Sequence, residues 1–167
     1  MKIVRLISGG QTGADRAGLD AAISCGLPYG GTVPLGRRSE DGKVPDKYEG
    51  MKESPYYNYL PRTEANVVDS DATIVFCYGA PVRGSKRTVT FAAKHRKPYL
   101  VINLNQPKDK VIQKVVEWLK TECTLAEGTL NVAGSREETF PGINKAVIDI
   151  MVEVIKTVNH EERSIWD

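Results

Sequence analysis

The chain opens with Ile3-Val4-Arg5-Leu6-Ile7-Ser8-Gly9-Gly10-Gln11-Thr12-Gly13, an apolar stretch that runs directly into a turn with three glycines. The pattern predicts a buried strand over residues 3–7 and a helix over residues 14–25. Glycines at the end of a strand let the backbone approach a ligand closely, because they have no Cβ. The first amides of a helix have no partners within it, so we expect them to face a pocket, free to bind an oxyanion such as phosphate. The alternative is a tight turn that binds nothing.

The predicted first helix carries a stripe of small side chains. They recur at helical spacing and are Ala14, Ala17, Gly18, Ala21, Ala22 and Cys25. Such a stripe allows a helix to lie close to a sheet. Thr12 is placed to cap this helix, and Asp15 lies in its first turn, where a carboxylate suits the helix dipole.

The length and composition are typical of one globular domain. The chain has 167 residues, of which 41% are hydrophobic and 26% are charged, with a formal net charge of +2. We expect a single domain over residues 1–158 and a polar tail over residues 159–167. The small net charge and the lack of a basic block argue against a nucleic-acid partner. We expect no membrane association and a cytoplasmic location, because no signal peptide or long apolar run is evident.

The cysteines and histidines predict neither a disulfide framework nor a metal site. Cys25, Cys77 and Cys123 are widely spaced and fit small core positions. His95 and His160 have no carboxylate or thiol at ligand spacing. We therefore expect no protein-built metal site.

Apolar strand patterns alternate with helical patterns along most of the chain. Strands are predicted at residues 3–7, 29–33, 72–78, 99–103 and 129–132. Helices are predicted at residues 14–25, 63–70, 86–96, 108–122 and 141–158, with Pro141 in the first turn of the last one. The alternation predicts an α/β fold, in which a mainly parallel sheet is covered by helices on both faces.

Residues 26–61 interrupt this alternation with repeated glycine and proline. A connection of this length in a compact domain is usually functional or disordered. It carries Arg37, Arg38, Glu40 and Asp41, together with tyrosines at positions 56, 57 and 59. These residues favour an ordered flap over a linker.

Three strand-end loops combine glycine with polar or basic residues, at positions 9–13, 78–86 and 131–136. Ligands of open parallel sheets collect outside the carboxyl ends of the strands, so we expect the site there. Residues 79–86 are not a Walker A motif, because their order is Gly84-Ser85-Lys86. Residues 9–13 likewise do not match the G-x-G-x-x-G dinucleotide fingerprint.

Four motifs together resemble a known family. They are Ser-Gly-Gly-Gln-Thr-Gly-Ala-Asp-Arg-Ala at 8–17, Gly-Arg-Arg-Ser-Glu-Asp-Gly at 36–42, Arg-Thr-Glu-Ala-Asn-Val at 62–67 with Asp-Ser-Asp-Ala-Thr at 69–73, and Leu-Asn-Val-Ala-Gly at 130–134. In this order they resemble the family named "putative molybdenum carrier", a circularly permuted YpsA-related branch of the Rossmann-like superfamily that contains DprA and the LOG nucleotide hydrolases. The resemblance extends from residue 3 to about residue 158.

The resemblance implies a three-layer Rossmann-like fold, a homo-oligomer and a small phosphorylated ligand. In the molybdenum carriers this ligand is described as the molybdenum cofactor, a pterin with a phosphate and a dithiolene, and another phosphorylated, nucleotide-like ligand is the alternative. Amides of Gly9, Gly10, Thr12 and Gly13 would hold the phosphate, and a guanidinium would pair with it. The other candidate binding residues are Gln11, Asp15, Arg16, Arg37, Arg38, Arg62, Gly79, Gly84, Ser85, Thr88, Gly134 and Arg136. The guanidinium would be that of Arg37, Arg38 or Arg62. The alternative for each of these arginines is a solvated ion pair, which for Arg37 and Arg38 would involve the neighbouring Glu40 and Asp41.

The chain departs from the family pattern in two places. Arg83-Gly84-Ser85 stands where relatives have Gly-Gly-Thr, and Ser135 stands in place of a proline. Arg83 adds a charge and a Cβ where the backbone is expected to approach a ligand.

Two other functions remain open from the sequence, although we favour a non-catalytic binding protein. One is a LOG-like glycosidase that splits a nucleoside monophosphate between base and ribose 5′-phosphate, which needs a positioned carboxylate. Hydrolytic relatives have a glutamate in the helix after their glycine-rich loop, whereas residues 85–90 contain no acid here, so Asp15, Asp20 or Asp71 would have to replace it. The other is a sensor, in which the ligand closes the flap over residues 33–60.

Overall fold

Six parallel strands form the main sheet of the protein. The structure is a computed structural model in which residues 1–160 are described. In chain order the strands are β1 (Lys2–Ile7), β2 (Tyr29–Val33), β3 (Arg38–Ser39), β4 (Gly42–Lys43), β5 (Met51–Glu53), β6 (Ala72–Cys77), β7 (Tyr99–Asn103) and β8 (Glu127–Gly134). The main sheet has the order β5-β2-β1-β8-β6-β7, and all its neighbouring strands are parallel. The remaining strands, β3 and β4, form a small antiparallel hairpin.

The helices pack in two groups. They are α1 (Ala14–Ser24), α2 (Tyr59–Val68), α3 (Arg83–Lys94), α4 (Lys108–Thr121) and α5 (Ile143–His160). In one group α5 packs against α1 and α4, and in the other α2 packs against α3. The predicted α/β fold with a mainly parallel sheet flanked by helices is confirmed. Among the described residues no helix is both long and apolar enough to span a bilayer.

The stripe of small residues on α1 lets this helix lie against the sheet, as predicted. Ala14, Ala17, Ala21 and Ala22 are fully buried in the main core. At Gly18 the approach is so close that a Cβ would lie 2.7 Å from the Val132 Cβ on β8. The position of α1 therefore depends on the absence of a side chain there.

Several element boundaries differ from the predictions. α2 begins at Tyr59 and includes Pro61, which a first helical turn tolerates because its amides have no partners within the helix. α3 begins at Arg83 instead of residue 86. α5 begins at Ile143, so Pro141 precedes the helix and does not lie in its first turn.

The start of α1 is not capped by a side chain. Gly13 occupies the N-cap position with a φ of 83°, a left-handed conformation that glycine adopts readily. The Thr12 hydroxyl donates instead to the Glu138 carboxylate at 2.8 Å. The prediction that Thr12 caps α1 is therefore wrong, because Gly13 takes the cap position and Thr12 bonds to the loop before α5.

α5 continues into the segment predicted as a polar tail. The Asn159 side chain accepts a hydrogen bond from Ile3 N and donates one to Ile3 O, both at 2.9 Å. The beginning of the segment is thus tied to β1. Residues 161–167, the rest of the predicted tail, lie outside the described residues.

The predicted flap is ordered, as expected. In the structure β2 ends at Val33 and α2 begins at Tyr59, so we call residues 34–58 the flap. The hairpin of β3 and β4 forms the tip of the flap, and β5 pairs with β2 at the sheet edge. Arg16 on α1 donates to both carboxylate oxygens of Asp41 at 2.6 and 2.8 Å, and to the Ser39 hydroxyl at 3.1 Å. The Glu40 amide donates to Gln11 Oε1 at 2.9 Å. The tip is therefore bonded to α1 and to the loop before it.

Replacing Gly18 with alanine tests the close contact between α1 and the sheet. Gly18→Ala is expected to lower the free energy of unfolding by about 1–3 kcal/mol, because the new methyl group overlaps Val132. The loss should occur although alanine is the better helix former by about 1 kcal/mol. Urea denaturation measures the change.

Gly84→Ala in α3 is the matched control, because a Cβ at Gly84 meets no heavy atom within 4 Å. This variant is expected to be at least as stable as the wild type. Equal losses in the two variants would show that close packing is not what Gly18 provides.

The link between Arg16 and Asp41 predicts a pH-dependent contribution to stability. The hydrogen bonds from Arg16 hold the pKa of the Asp41 carboxyl well below its ordinary value. Such a carboxyl stabilises the fold above its unfolded pKa of about 4 and loses this contribution as the pH falls toward the folded pKa. Asp41 is exposed, so Asp41→Asn should cost no more than about 1 kcal/mol at pH 7 in urea denaturation. The difference should shrink between pH 5 and pH 2, and a constant difference would contradict this account.

Candidate functional site

A cavity of about 450 Å³ opens at the carboxyl ends of the central strands. It is lined by the loop after β1, the starts of α1, α2 and α3, the end of β8 with its following loop, and one flap residue. The lining residues are Gly9, Gln11, Asp15, Glu40, Tyr59, Leu60, Arg62, Thr63, Asn66, Val82, Arg83, Gly84, Ser85, Thr88, Asn131, Ala133, Gly134, Ser135, Arg136 and Thr139. Ligands of parallel α/β folds collect at this edge of the sheet, and the volume suits a small molecule.

The cavity brings together part of the predicted binding set. The predicted residues in its lining are Gly9, Gln11, Asp15, Arg62, Gly84, Ser85, Thr88, Gly134 and Arg136. Those outside the lining are Gly10, Thr12, Gly13, Arg16, Arg37, Arg38 and Gly79. The first group is therefore the part of the predicted set that can contact a ligand in this cavity.

The amides around the first glycine-rich loop are largely used within the protein. Four of them donate to protein oxygens: Gly10 N to Ser8 Oγ (3.2 Å), Gln11 N to Asp15 Oδ2 (3.2 Å), Thr12 N to Gln11 Oε1 (3.1 Å) and Ala14 N to Ser135 O (3.1 Å). The expectation that these amides are free to bind phosphate is wrong for all four. Side chains of the loop and of α1, and one carbonyl of the loop after β8, take the place of the expected ligand.

Gly10 and Gly13 have structural roles in this loop. Both have positive φ angles, of 72° and 83°. A Cβ at Gly10 would lie 3.0 Å from the Val33 side chain, and a Cβ at Gly13 would lie 2.3 Å from Ser135 O. These two glycines let the loop pack against its neighbours.

The other predicted residues outside the lining also have partners. Arg37 donates to the main-chain carbonyls at positions 44, 45 and 48. Arg38 lies between two tyrosines, 4.3 Å from the centre of the Tyr57 ring and 4.4 Å from that of Tyr59. Neither arginine pairs with Glu40 or Asp41, so those partners are wrong. Arg37 does form a solvated ion pair, because its Nε lies 4.0 Å from the exposed carboxylate of Asp46. Gly79, in the loop after β6, donates its amide to Asn103 Oδ1 at 2.9 Å. Thr12, Gly13 and Arg16 line a separate, more open cavity of about 440 Å³.

Arg62 and Asp15 form a buried pair in the wall of the first cavity. Arg62 Nη2 lies 4.0 Å from Asp15 Oδ2, and the two side chains are only 11% and 8% exposed. The guanidinium lies directly on Gly9, where a Cβ would be 2.8 Å from Arg62 Cζ. Arg62 Nε is buried and has no hydrogen-bond partner among the described residues.

Burial shifts the pKa of both members of this pair. Burial raises the pKa of the Asp15 carboxyl, and the charge of Arg62 opposes that shift. Burial lowers the pKa of the Arg62 guanidinium, and the charge of Asp15 opposes that shift. A guanidinium stays protonated in proteins, so the cavity wall holds a permanent cation with an unused donor.

Gln11 supplies a second unused donor. Its Oε1 accepts hydrogen bonds from the amides of Thr12 and Glu40, which fixes the orientation of the side-chain amide. Its Nε2 is buried without a hydrogen-bond partner among the described residues. Buried donors of this kind are usually satisfied, so an acceptor from outside the chain would complete the site.

The start of α3 enters the cavity without a capping side chain. Val82 is the N-cap residue, and Arg83, Gly84 and Ser85 follow it in the lining. The amides of a helix N-terminus and the helix dipole favour an anion at this position. Arg83 has a φ of 49°, in the left-handed region, and its side chain pairs with no carboxylate in the part of the chain that the structure describes.

Arg136 completes the set of cations in the lining. It pairs with the Glu40 carboxylate from the flap tip, and its Cζ lies 5.2 Å from the centre of the Tyr59 ring. Arg62 lies 5.3 Å from the same ring centre. Tyr59 thus lies against both guanidiniums, in the geometry of a cation–π interaction.

Sequence reasoning did not select Tyr59, Glu40, Asn66 or Asn131 as site residues. Tyr59 stands three positions before Arg62, which places the two side chains on one face of α2. That spacing was a usable signal, but the predicted helix began only at residue 63. Glu40 and Asn66 are brought to the cavity by the flap and α2, and no local pattern indicates it. Asn131 is the first residue of the strand-end loop at 131–136, where the site was expected.

The chemistry of the lining is that of an anion site. Three guanidiniums, of Arg62, Arg83 and Arg136, stand beside two carboxylates, of Asp15 and Glu40. No histidine or cysteine lines this cavity. Across residues 1–160 no cluster of three or more His, Cys, Asp or Glu side chains is arranged to hold a metal ion.

Comparisons with known proteins agree with this architecture. A profile described as "Circularly permutated YpsA SLOG family" matches residues 6–155. A solved structure, described as "Putative molybdenum carrier protein" from Syntrophus aciditrophicus SB, is 41% identical, with a TM-score of 0.83. That similarity covers 92% of this chain and 94% of the other. No curated protein matches the chain significantly.

The profile covers most of the chain, including every strand-end loop that contributes to the cavity, and the similar structure has the same fold. The chain therefore belongs to the circularly permutated YpsA SLOG family.

Proposed function

We propose that this protein binds a phosphorylated pterin or nucleotide-like ligand in the 450 Å³ cavity and carries it without converting it. One observation carries the proposal, namely the buried Arg62 guanidinium, which keeps Nε unused in the wall of the cavity. The planar fork of a guanidinium matches the oxygens of a phosphate, and such charge-assisted hydrogen bonds are among the strongest in proteins. The Ser85 hydroxyl and the amides of Arg83 and Gly84 at the start of α3 would receive the same group, since the Ser85 amide already donates to Val82 O at 3.1 Å.

A carrier of the molybdenum cofactor is the most specific form of this proposal. The similar protein from Syntrophus aciditrophicus is described as a molybdenum carrier. The phosphate end of the cofactor fits the cationic lining, and the unused Gln11 donor suits an acceptor on the pterin. Because the lining offers no thiol or imidazole, the protein would hold this cargo by its phosphate and pterin and not through the metal.

The flap favours a carrier over a sensor. A sensor of the kind considered above requires the ligand to close the flap, whereas its tip is already bonded to Arg16 and Gln11 in the structure. The homo-oligomeric state and the cytoplasmic location stay predictions, and light scattering on the purified protein measures the former.

Calorimetric and thermal-shift titrations test the proposal with the molybdenum cofactor, AMP, ADP-ribose and NAD, and with adenosine as the unphosphorylated control. Phosphorylated compounds are expected to bind saturably and to raise the melting temperature, since a ligand stabilises the state that it binds. Adenosine is expected to bind much more weakly. Equal binding of AMP and adenosine, or no binding of any phosphorylated compound, would contradict the proposal.

Arg62→Lys is expected to weaken the binding of AMP or of the molybdenum cofactor by at least about tenfold. Lysine retains the positive charge next to Asp15 but lacks the fork and the Nε donor, and hydrogen bonds to charged groups contribute about 1.5–3 kcal/mol. Arg5→Lys is the matched control, because Arg5 on β1 is exposed and lies outside the lining. Urea denaturation of both variants separates a loss of affinity from a loss of folding.

An unchanged affinity in Arg62→Lys would remove Arg62 from the binding site. Gly10→Val is not a useful test of ligand binding at the first glycine-rich loop. The valine side chain would meet Val33 and Val44 at a positive φ, so lost binding in that variant would report on folding.

A second candidate function, hydrolysis of a nucleoside monophosphate, is favoured by one observation. Asp15 places a buried carboxyl with a raised pKa in the cavity wall, which is the environment of many general acids and bases. Asp20 bonds instead to the Tyr48 hydroxyl, and Asp71 to the Thr129 amide. Of the three candidates, Asp15 alone lies in the lining.

Release of adenine from AMP distinguishes the enzyme from the carrier. We expect the wild type to bind AMP without releasing adenine, as followed by chromatography over hours at a high protein concentration. Adenine release that disappears in Asp15→Asn, while AMP still binds, would replace the carrier by a glycosidase. Asparagine keeps the shape and the acceptor for Gln11 N but removes the counter-ion of the buried Arg62, so urea denaturation has to show first that this variant is folded.

A further inference from the structure

Two guanidinium–carboxylate pairs line the cavity, and they differ in how firmly the carboxylate is held. Asp15 faces Arg62, and Glu40 faces Arg136. Asp15 is 6% exposed and accepts a hydrogen bond from Gln11 N at 3.2 Å. Its departure would leave the buried Arg62 uncompensated and the Gln11 amide unbonded, so Asp15 is a permanent part of the wall.

Glu40 is an exchangeable counter-ion by comparison. Its side chain is 33% exposed, and its carboxylate bonds to Arg136 and to no other group in the described chain. Exposed ion pairs of this kind are weak, because water solvates both partners when they separate. The free-energy cost for an entering anion to displace Glu40 from Arg136 is therefore small.

The main chain of Glu40 is held independently of its carboxylate. Its amide donates to Gln11 Oε1 at 2.9 Å, and the neighbouring Asp41 binds Arg16 through two hydrogen bonds. The Glu40 carboxylate can thus leave Arg136 by side-chain rotation while the flap tip stays in place. No closure or opening of the flap is needed.

Arg136 stays in the cavity when Glu40 leaves. Its guanidinium lies against the Tyr59 ring at 5.2 Å, which limits where it can move. Arg62 lies on the same ring, and Arg83, also in the lining, has no carboxylate partner among the described residues. Without Glu40 the lining would contain three cations and one carboxylate, a balance that favours an anion beside Arg136.

We propose that the Glu40 carboxylate occupies an anion subsite at Arg136, and that a second anionic group of the ligand takes this place by displacing it. The inference rests on the proposed function and narrows it. The ligand class is then a phosphorylated compound with a second negatively charged group, for which a nucleoside diphosphate is a convenient probe. The second anionic group of the ligand replaces the Glu40 carboxylate beside Arg136. The net charge of the cavity therefore changes little when the ligand binds.

Binding of AMP and ADP to variants of Glu40 and Arg136 tests this subsite by calorimetry. Glu40→Gln is expected to bind ADP about two- to fivefold more tightly than the wild type, because ADP no longer competes with a carboxylate. The effect on AMP should be smaller. Arg136→Gln should weaken ADP binding more than AMP binding. Glu49→Gln, the same change at an exposed flap position outside the lining, should leave both affinities unchanged.

Two results would overturn the inference while the proposed function stands. Unchanged or weaker ADP binding in Glu40→Gln would mean that Glu40 does not compete with the ligand. An equal increase in ADP affinity in Glu49→Gln would mean that the increase comes from removing any negative charge from the flap, and not from freeing Arg136.

If the wild type binds neither AMP nor ADP, that result contradicts nucleotide binding as the proposed function. The anion subsite at Arg136 is then tested separately, with inorganic pyrophosphate as the probe. Pyrophosphate binding by Glu40→Gln that disappears when Arg136→Gln is added supports the subsite. Glu40→Gln that still fails to bind pyrophosphate overturns it.

Discussion

The buried Arg62 guanidinium is the constraint on which the site depends. A charge in this position needs a counter-ion and space, and the loop after β1 provides both. Gly9 leaves room where a Cβ would overlap the guanidinium, and Asp15 places its carboxylate 4.0 Å away. The Gln11 amide in turn holds Asp15. The glycine-rich loop therefore acts mainly as a support for an arginine that comes from a different part of the chain.

This arrangement explains why the cavity is cationic although the whole protein is nearly neutral. Four amides around the loop, those of Gly10, Gln11, Thr12 and Ala14, are satisfied by protein oxygens, so the donors on which the proposed site depends are side chains and the start of α3. Arg62 Nε and Gln11 Nε2 are buried donors without partners in the described chain. Buried donors cost free energy when unsatisfied, and an acceptor in the cavity would relieve that cost.

The flap links the ligand site to the rest of the fold. Arg16 fixes its tip through Asp41, which leaves Glu40 beside Arg136 in the lining. One short segment thus contains a structural anchor and an adjacent exchangeable carboxylate. Their different strengths follow from their surroundings, since Arg16 makes two hydrogen bonds to Asp41 and a third to Ser39, whereas Glu40 makes its side-chain bond to Arg136 alone.

The sequence by itself determined the chain order of the helices and of five strands of the main sheet, the parallel pairing, the close packing of α1 and the edge of the sheet where the cavity lies. These features follow from local periodicity and from small residues at helical spacing, and both can be read along the chain. The sequence did not predict β3, β4 or the edge strand β5, which are short and lie in the segment rich in glycine and proline. Of the arginines predicted to bind a ligand, Arg62 and Arg136 lie in the cavity lining, whereas Arg16, Arg37 and Arg38 lie outside it. Only the tertiary structure decided which guanidinium faces the cavity and which amides are already bonded. The physical reason is that hydrogen-bond partners and burial depend on contacts between distant segments, such as the Ser135 carbonyl on Ala14 and the Glu40 carboxylate on Arg136.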